Sequence, residues 1–143
     1  MVHIEKVRDA NERCLGEMMD DCTAVFVPGT TGIGEYALLR LARIRGRHNK
    51  GLYVYLVARS QEKAESVIAR CKELCPNAEF CFIMTKDIAL LSEVDRACQE
   101  IRKKEEERKR GSKSAIDILL LSPGKIEIGP RIGESNSNTN TLC

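Results

Sequence analysis

The stretch Pro28-Gly29-Thr30-Thr31-Gly32-Ile33-Gly34 decides the reading of this chain. It follows Thr23-Ala24-Val25-Phe26-Val27, an apolar run of strand-favouring residues. It runs into Ile33, Ala37, Leu38, Leu41 and Ile44, which recur at helical spacing, with Glu35, Arg40 and Arg43 off that face. A glycine cluster alone reads as an ordinary turn. Between a strand and a helix it predicts a phosphate loop. Glycines let the chain turn tightly, let a phosphate approach the backbone, and let the helix pack close to the strand. The amides of the first helical turn then point at the anion. Thr30 and Thr31 add hydroxyl donors. No Gly-Lys-Ser/Thr follows, which excludes a P-loop of the usual form.

Outward from the loop, short apolar runs alternate with helical stripes. Arg45 to Gly51 is basic and polar and reads as a loop. Leu52–Ala58 reads as a second strand. Ser60 is the expected cap of a helix carrying Val67, Ile68, Cys71, Leu74 and Cys75, ended by Pro76-Asn77. Glu79–Met84 is a third strand. Leu90, Leu91, Val94, Ala97, Cys98 and Ile101 form the expected inner face of a third helix, which runs on near Arg108. Ile116–Leu121 is a fourth strand, stopped by Ser122-Pro123-Gly124. Ahead of all this, Ile4, Val7, Cys14, Leu15 and Met18 predict an amphipathic helix. Strands joined by helices cannot be hairpins, so the order predicts a parallel sheet with right-handed crossovers and helices on both faces.

Composition narrows the function classes. The chain has 143 residues, enough for one domain, and 43% hydrophobic content, too much for a wholly disordered chain. Lys and Arg number 23 and Asp and Glu 21, so no strong field favours nucleic acid or an anionic membrane. No run approaches the roughly 18 apolar residues needed to span a bilayer. The start, Met1-Val2-His3-Ile4-Glu5-Lys6, lacks the apolar block of a secretory signal. A cytoplasmic, soluble protein is expected. The seven cysteines are an odd number at irregular spacing and read as reduced thiols in the core, with no metal site and no disulfide framework.

The stretch from Val25 to Arg43, VFVPGTTGIGEYALLRLAR, resembles the cofactor loop of the short-chain dehydrogenase/reductase family. The resemblance runs from Thr23 to Gly124. Gly32, Ile33 and Gly34 match the last positions of that family's glycine motif, and Arg59 lies at the end of the second strand. Asp87-Ile88 follows the third strand, like the family's adenine-contacting aspartate. Ser122-Pro123-Gly124 stands where the family usually has Asn-Ala-Gly. The segment VRDANERC (Val7–Cys14) resembles the leader of fungal-type members. The resemblance implies a Rossmann-like α/β fold and a dinucleotide held by Gly29, Thr30, Thr31, Gly32, Ile33, Gly34, Arg59, Ser60, Asp87, Ile88, Ser122 and Gly124. Arg59, with no carboxylate until Glu62, implies NADP over NAD. The alternatives are that Arg59 is a soluble strand end and that Asp87 is a helix cap.

Departures bear on activity. Pro28 occupies the family's first glycine position, so the turn must be made differently, by Gly29. The family's catalytic Tyr-x-x-x-Lys is absent: Tyr36, Tyr53 and Tyr55 are followed four positions on by Arg40, Val57 and Arg59. No catalytic residue is assigned. The expected organisation is a leader over 1–21, a Rossmann half-domain over 22–124 truncated after its fourth strand, and an irregular tail over 125–143. The expected function is the NADP-binding portion of an oxidoreductase, inactive alone. A non-catalytic nucleotide- or partner-binding module is the alternative. The segment RKKEEERKR (Arg102–Arg110) reads as a solvated helix end. The fourth strand is expected to be an exposed apolar edge that recruits a second copy, unless Lys125–Ile128 folds back over it.

Overall fold

Four parallel strands lie in the order β3-β2-β1-β4, with β1 Asp21–Val27, β2 Gly51–Ala58, β3 Ala78–Met84 and β4 Ile118–Leu121. The computed structural model describes residues 3–18, 20–110 and 115–123. Helix α1 (Ile4–Glu12) continues as π-helical turns over Arg13–Met18, and α2 (Gly32–Arg47), α3 (Gln61–Leu74) and α4 (Leu91–Arg108) are the crossovers. The chain therefore has the α/β, Rossmann-like architecture expected of its alternating pattern. No helix among the described residues is long and apolar enough to cross a membrane.

Alternation along the strands sorts the core into two layers. Cys22, Ala24 and Phe26, with Leu52, Val54 and Leu56, face Leu38, Leu41, Ala42, Ala64, Val67 and Cys71 of α2 and α3. Val25, Val27, Tyr55, Val57 and Ile83 face Ala97 and Ile101 of α4 on the opposite side. Every residue from Cys22 to Val27 is buried, as a strand covered on both faces requires. Burial pushes the Cys22 thiol up to about 11 and the Cys71 thiol up to about 12, so both are packing groups and not nucleophiles.

Five local expectations need correction. First, Arg45 is not in a loop: α2 runs to Arg47, and Arg45 is wholly buried. Its guanidinium donates to the carbonyls of Leu15 (2.8 Å), Asp20 (2.6 Å) and Gly51 (3.1 Å), tying the leader to the start of β2. His48 meets Glu12 at 3.2 Å and lies against Gly16, and Lys50 donates to Asp20 at 2.5 Å. Second, most of the described residues of the leader's apolar stripe are not buried. Ile4, Val7 and Cys14 are exposed, and Leu15 packs on the core; the Met18 side chain lies outside the described residues. Polar anchoring by the α2–β2 connection does the holding.

Third, the inner face of α4 is Ala97, Ile101 and Glu105, while Leu91 and Cys98 are exposed. Fourth, the charged segment is not wholly solvated. Glu105 is 2% exposed and continues the buried stripe one turn beyond Ile101. Fifth, β4 begins at Ile118. Asp117 instead clamps the start of β1: its carboxylate accepts the Thr23 N–H at 2.8 Å, and its own N–H donates to the Thr23 carbonyl at 2.9 Å. The segment 125–143, including Lys125–Ile128, lies outside the described residues.

Candidate dinucleotide cleft

The carboxyl ends of β1, β2 and β3 open into a cleft of about 1000 Å³. A parallel sheet places this crevice where the strand order reverses, here between β1 and β4. Its lining includes Pro28, Thr30 and Thr31 from the glycine loop, Arg59, Ser60 and Lys63 after β2, and Thr85, Asp87, Ile88 and Ala89 after β3. Pro123 closes the side next to β4.

The loop geometry explains two of its glycines. Gly32 has φ +59°, and a Cβ there would meet nothing within 4 Å, so the residue needs glycine for its backbone and leaves open space beside it. Gly34 is the opposite case: a Cβ would lie 2.0 Å from the Pro28 carbonyl oxygen. Helix α2 can approach the end of β1 this closely only without a side chain at that position. Thr31 is the N-cap of α2 and makes no side-chain capping bond. The amides of the first turn have no intrahelical partner by geometry, so this helix start is left to an outside acceptor. Gly29 is buried against Leu56 and Phe26, and Thr30 is buried as well.

At the far end of the cleft the charge is positive. Arg59 is exposed, and neither it nor Lys63 has an ion-pair partner among the described residues. Ser60 caps α3 by accepting the Lys63 N–H at 3.3 Å, which sets that helix start beside the cleft. Asp87 is the sole carboxylate among the lining residues. It is not the cap of α4, whose N-cap is Leu90; its Oδ1 accepts the Ala89 N–H at 3.0 Å and forms the turn of that wall.

The structure therefore gathers Thr30, Thr31, Arg59, Ser60, Asp87 and Ile88 on one cleft. Gly29, Gly32, Gly34 and Ile33 shape or flank the loop, with Ile33 exposed on the first turn of α2. Ser122 does not line the cleft: its hydroxyl donates to the Pro28 carbonyl at 3.3 Å and its N–H to the Val27 carbonyl at 2.7 Å, which fastens β4 to the loop. Gly124 lies outside the described residues. Lys63 and Thr85 were not anticipated. Lys63 was legible as a cation one helical turn from a capping serine; Thr85 was not, because only pairing of its N–H with the Ala58 carbonyl (3.0 Å) turns it into the cleft floor.

No family model matches the chain. It is 38% identical over 100 residues to the short-chain dehydrogenase/reductase SAT2 of Stachybotrys chartarum, covering 69% of this chain and 28% of that protein. It is 34% identical over 142 residues to the oxidoreductase andH of Emericella variicolor, covering 99% of this chain and 38% of that protein. Oxidoreductase AN1596 of Emericella nidulans is 29% identical over 131 residues, 92% of this chain and 35% of that protein. The chain thus spans about a third of the length of the curated relatives it matches. With the parallel sheet and the glycine loop in place, the similarity of the chain is to a short-chain dehydrogenase/reductase-like family.

Proposed function

We propose that the chain is the NADP-binding part of a short-chain-type oxidoreductase, the whole protein moving a hydride between NADPH and a carbonyl or alcohol. The observation that carries the reading is the cleft itself, with a helix start at the glycine loop that has no side-chain cap and two cations, Arg59 and Lys63, that have no ion-pair partner among the described residues, at its other end. The residues fit the group. The pyrophosphate would lie on the α2 amides beside Gly32, where the absent side chain leaves room. The adenosine would lie against Thr85, Ile88 and Ala89, with its 2′-phosphate toward Arg59 and Lys63. When bound, the nicotinamide supplies the hydride.

The chain's own residues bind and orient and do no acid–base work in this reading. Tyr53 and Tyr55 lie on β2 and neither lines the cleft, and Tyr55 is wholly buried. The cysteine usage and the NADP reading together favour a cytoplasmic setting. Pairing of copies through β4 belongs to the same reading, since β4 is one of the two edge strands among the described residues and Leu119 and Leu121 are exposed on it.

The test is a fluorescence titration of the purified chain with NADPH and NADH, followed by an assay for carbonyl-dependent NADPH oxidation. NADPH should bind more tightly than NADH, without turnover. No binding of either nucleotide at millimolar concentration would overturn the reading. Steady turnover proportional to protein concentration would overturn the assignment of a binding role alone.

A further inference from the structure

Thr85, Asp87, Ile88 and Ala89 form the side of the cleft built by the connection between β3 and α4. It is held by two side chains that lie outside the cleft. Glu93, in the first turn of α4, accepts the Lys86 N–H on its Oε2 at 2.9 Å. Arg96, one turn further on, donates through Nη2 to the Met84 carbonyl and to the same Glu93 oxygen at 3.0 Å. The backbone on both sides of Thr85 is thereby fastened to one ion pair. The Thr85 N–H, bonded to the Ala58 carbonyl, supplies a third point. Helix α4 has no side-chain cap of its own at Leu90, so the carboxylate in its first turn serves the preceding turn instead of the helix start.

We infer that Glu93 and Arg96 are positioning residues for the adenosine half of the cleft: the pair holds the Thr85–Ala89 turn in the shape that a nucleotide meets. The inference rests on the dinucleotide reading. The Arg96 and Lys86 bonds to Glu93 hold its carboxyl below the usual carboxylate range, so the pair stays ionised at neutral pH. Charge-assisted bonds to backbone are the stronger kind, and an immobilised turn spares the ligand the cost of ordering it. Glu100, the other partner of Arg96 at 3.4 Å, makes no hydrogen bond to the turn among the described residues and provides a control on the same helix.

The experiment measures binding of 2′,5′-ADP to the whole chain by calorimetry, with amide hydrogen exchange as a second readout. Glu93→Ala should weaken 2′,5′-ADP about tenfold, and Arg96→Ala about fivefold. Glu93→Gln keeps an acceptor for the Lys86 N–H and should recover most of the loss; Glu100→Ala should leave affinity within about twofold. Exchange in Glu93→Ala should accelerate from Lys86 to Leu90 and stay unchanged at Gly32 to Glu35. A wild-type chain that binds 2′,5′-ADP while Glu93→Ala binds it equally would overturn the positioning role alone. Uniform acceleration in both regions would do the same, by showing a general loss of stability. Failure of the wild type to bind 2′,5′-ADP would overturn the dinucleotide reading and this inference with it.

Discussion

The Tyr55 hydroxyl donates to the Glu105 carboxylate at 2.8 Å, joining the middle of β2 to the last turns of α4. Arg108 completes the group. It donates to Glu105 at 3.0 and 2.8 Å and to the Thr23 hydroxyl at 2.8 Å, and its guanidinium lies 4.1 Å from the Tyr53 ring centroid. Burial alone would raise the Glu105 pKa, but the bonds from Arg108 and Tyr55 outweigh it and leave the carboxyl below its ordinary value. A buried charge held this way is costly to orphan.

Glu105→Ala should therefore destabilise the chain by about 3–5 kcal/mol, because it leaves the Arg108 charge uncompensated. Tyr55→Phe should cost about 1.5–3 kcal/mol, the range for one bond to a charged acceptor. The pH dependence follows from the direction of the shift. A carboxyl whose folded pKa is depressed contributes stability above its unfolded value, near about 4.3, and that contribution is lost as pH falls through the folded value. Urea melts at neutral pH and at successively lower pH should show the gap between wild type and Glu105→Gln closing as the solution is acidified below that window.

The two loop glycines should fail for different reasons. Gly34→Ala places a Cβ 2.0 Å from the Pro28 oxygen, so α2 must move off β1, at a cost of about 1–3 kcal/mol in stability as well as in nucleotide binding. Gly32→Val meets no neighbour within 4 Å but forces a β-branched residue to φ +59°. It should cost about 1–2 kcal/mol in stability and abolish binding by occupying the space meant for the pyrophosphate. Thermal melts paired with NADPH titrations separate the two.

Cofactor choice should follow the cations after β2. Arg59→Glu should weaken NADPH by about 10- to 100-fold, the worth of a charge-assisted bond, and should leave NADH little changed. Lys63→Ala should have a smaller effect in the same direction. Both effects should shrink at high salt, since Arg59 and Lys63 are exposed. An unchanged NADPH-to-NADH ratio in Arg59→Glu would place the selectivity elsewhere.

Arg45 should prove a fold determinant despite being a charge on a surface-like stretch of sequence. Arg45→Met keeps apolar bulk but strips donors from the Leu15, Asp20 and Gly51 carbonyls. The loss should be about 3 kcal/mol, roughly 1–3 for each buried acceptor left bare, less what water recovers. The leader should detach first. Limited trypsin digestion should cut at Arg8 or Arg13 much faster in the variant than in wild type, before the sheet itself is attacked.

Self-association, if it runs through β4, should respond to one face of that strand. Leu119 and Leu121 are 61% and 63% exposed, whereas Ile118 and Leu120 pack toward the α2 layer. Leu119→Lys should reduce association in sedimentation at high concentration without loss of stability. Ile118→Lys or Leu120→Lys should lower stability instead. A wild-type chain that stays monomeric would remove the edge from consideration.

The alternation of apolar runs with helical stripes determined the parallel sheet and the loop between β1 and α2, because continuous apolar runs, 3.6-residue stripes and glycine punctuation are local properties of the chain. The same local logic placed Ser60 as a cap and Arg59 at a strand end. It failed wherever a polar residue acts through a distant partner. Arg45 reads as loop charge until three carbonyls from separate segments converge on it. Glu105 reads as solvated until Tyr55 and Arg108 meet it, and Glu93 as surface until the Lys86 amide points at it. Composition assigns a charge to the surface by default because burying it alone is prohibitive. Only the tertiary structure, by bringing donors from residues up to tens of positions away, makes such burial favourable and so decides which charges hold the fold and shape the cleft.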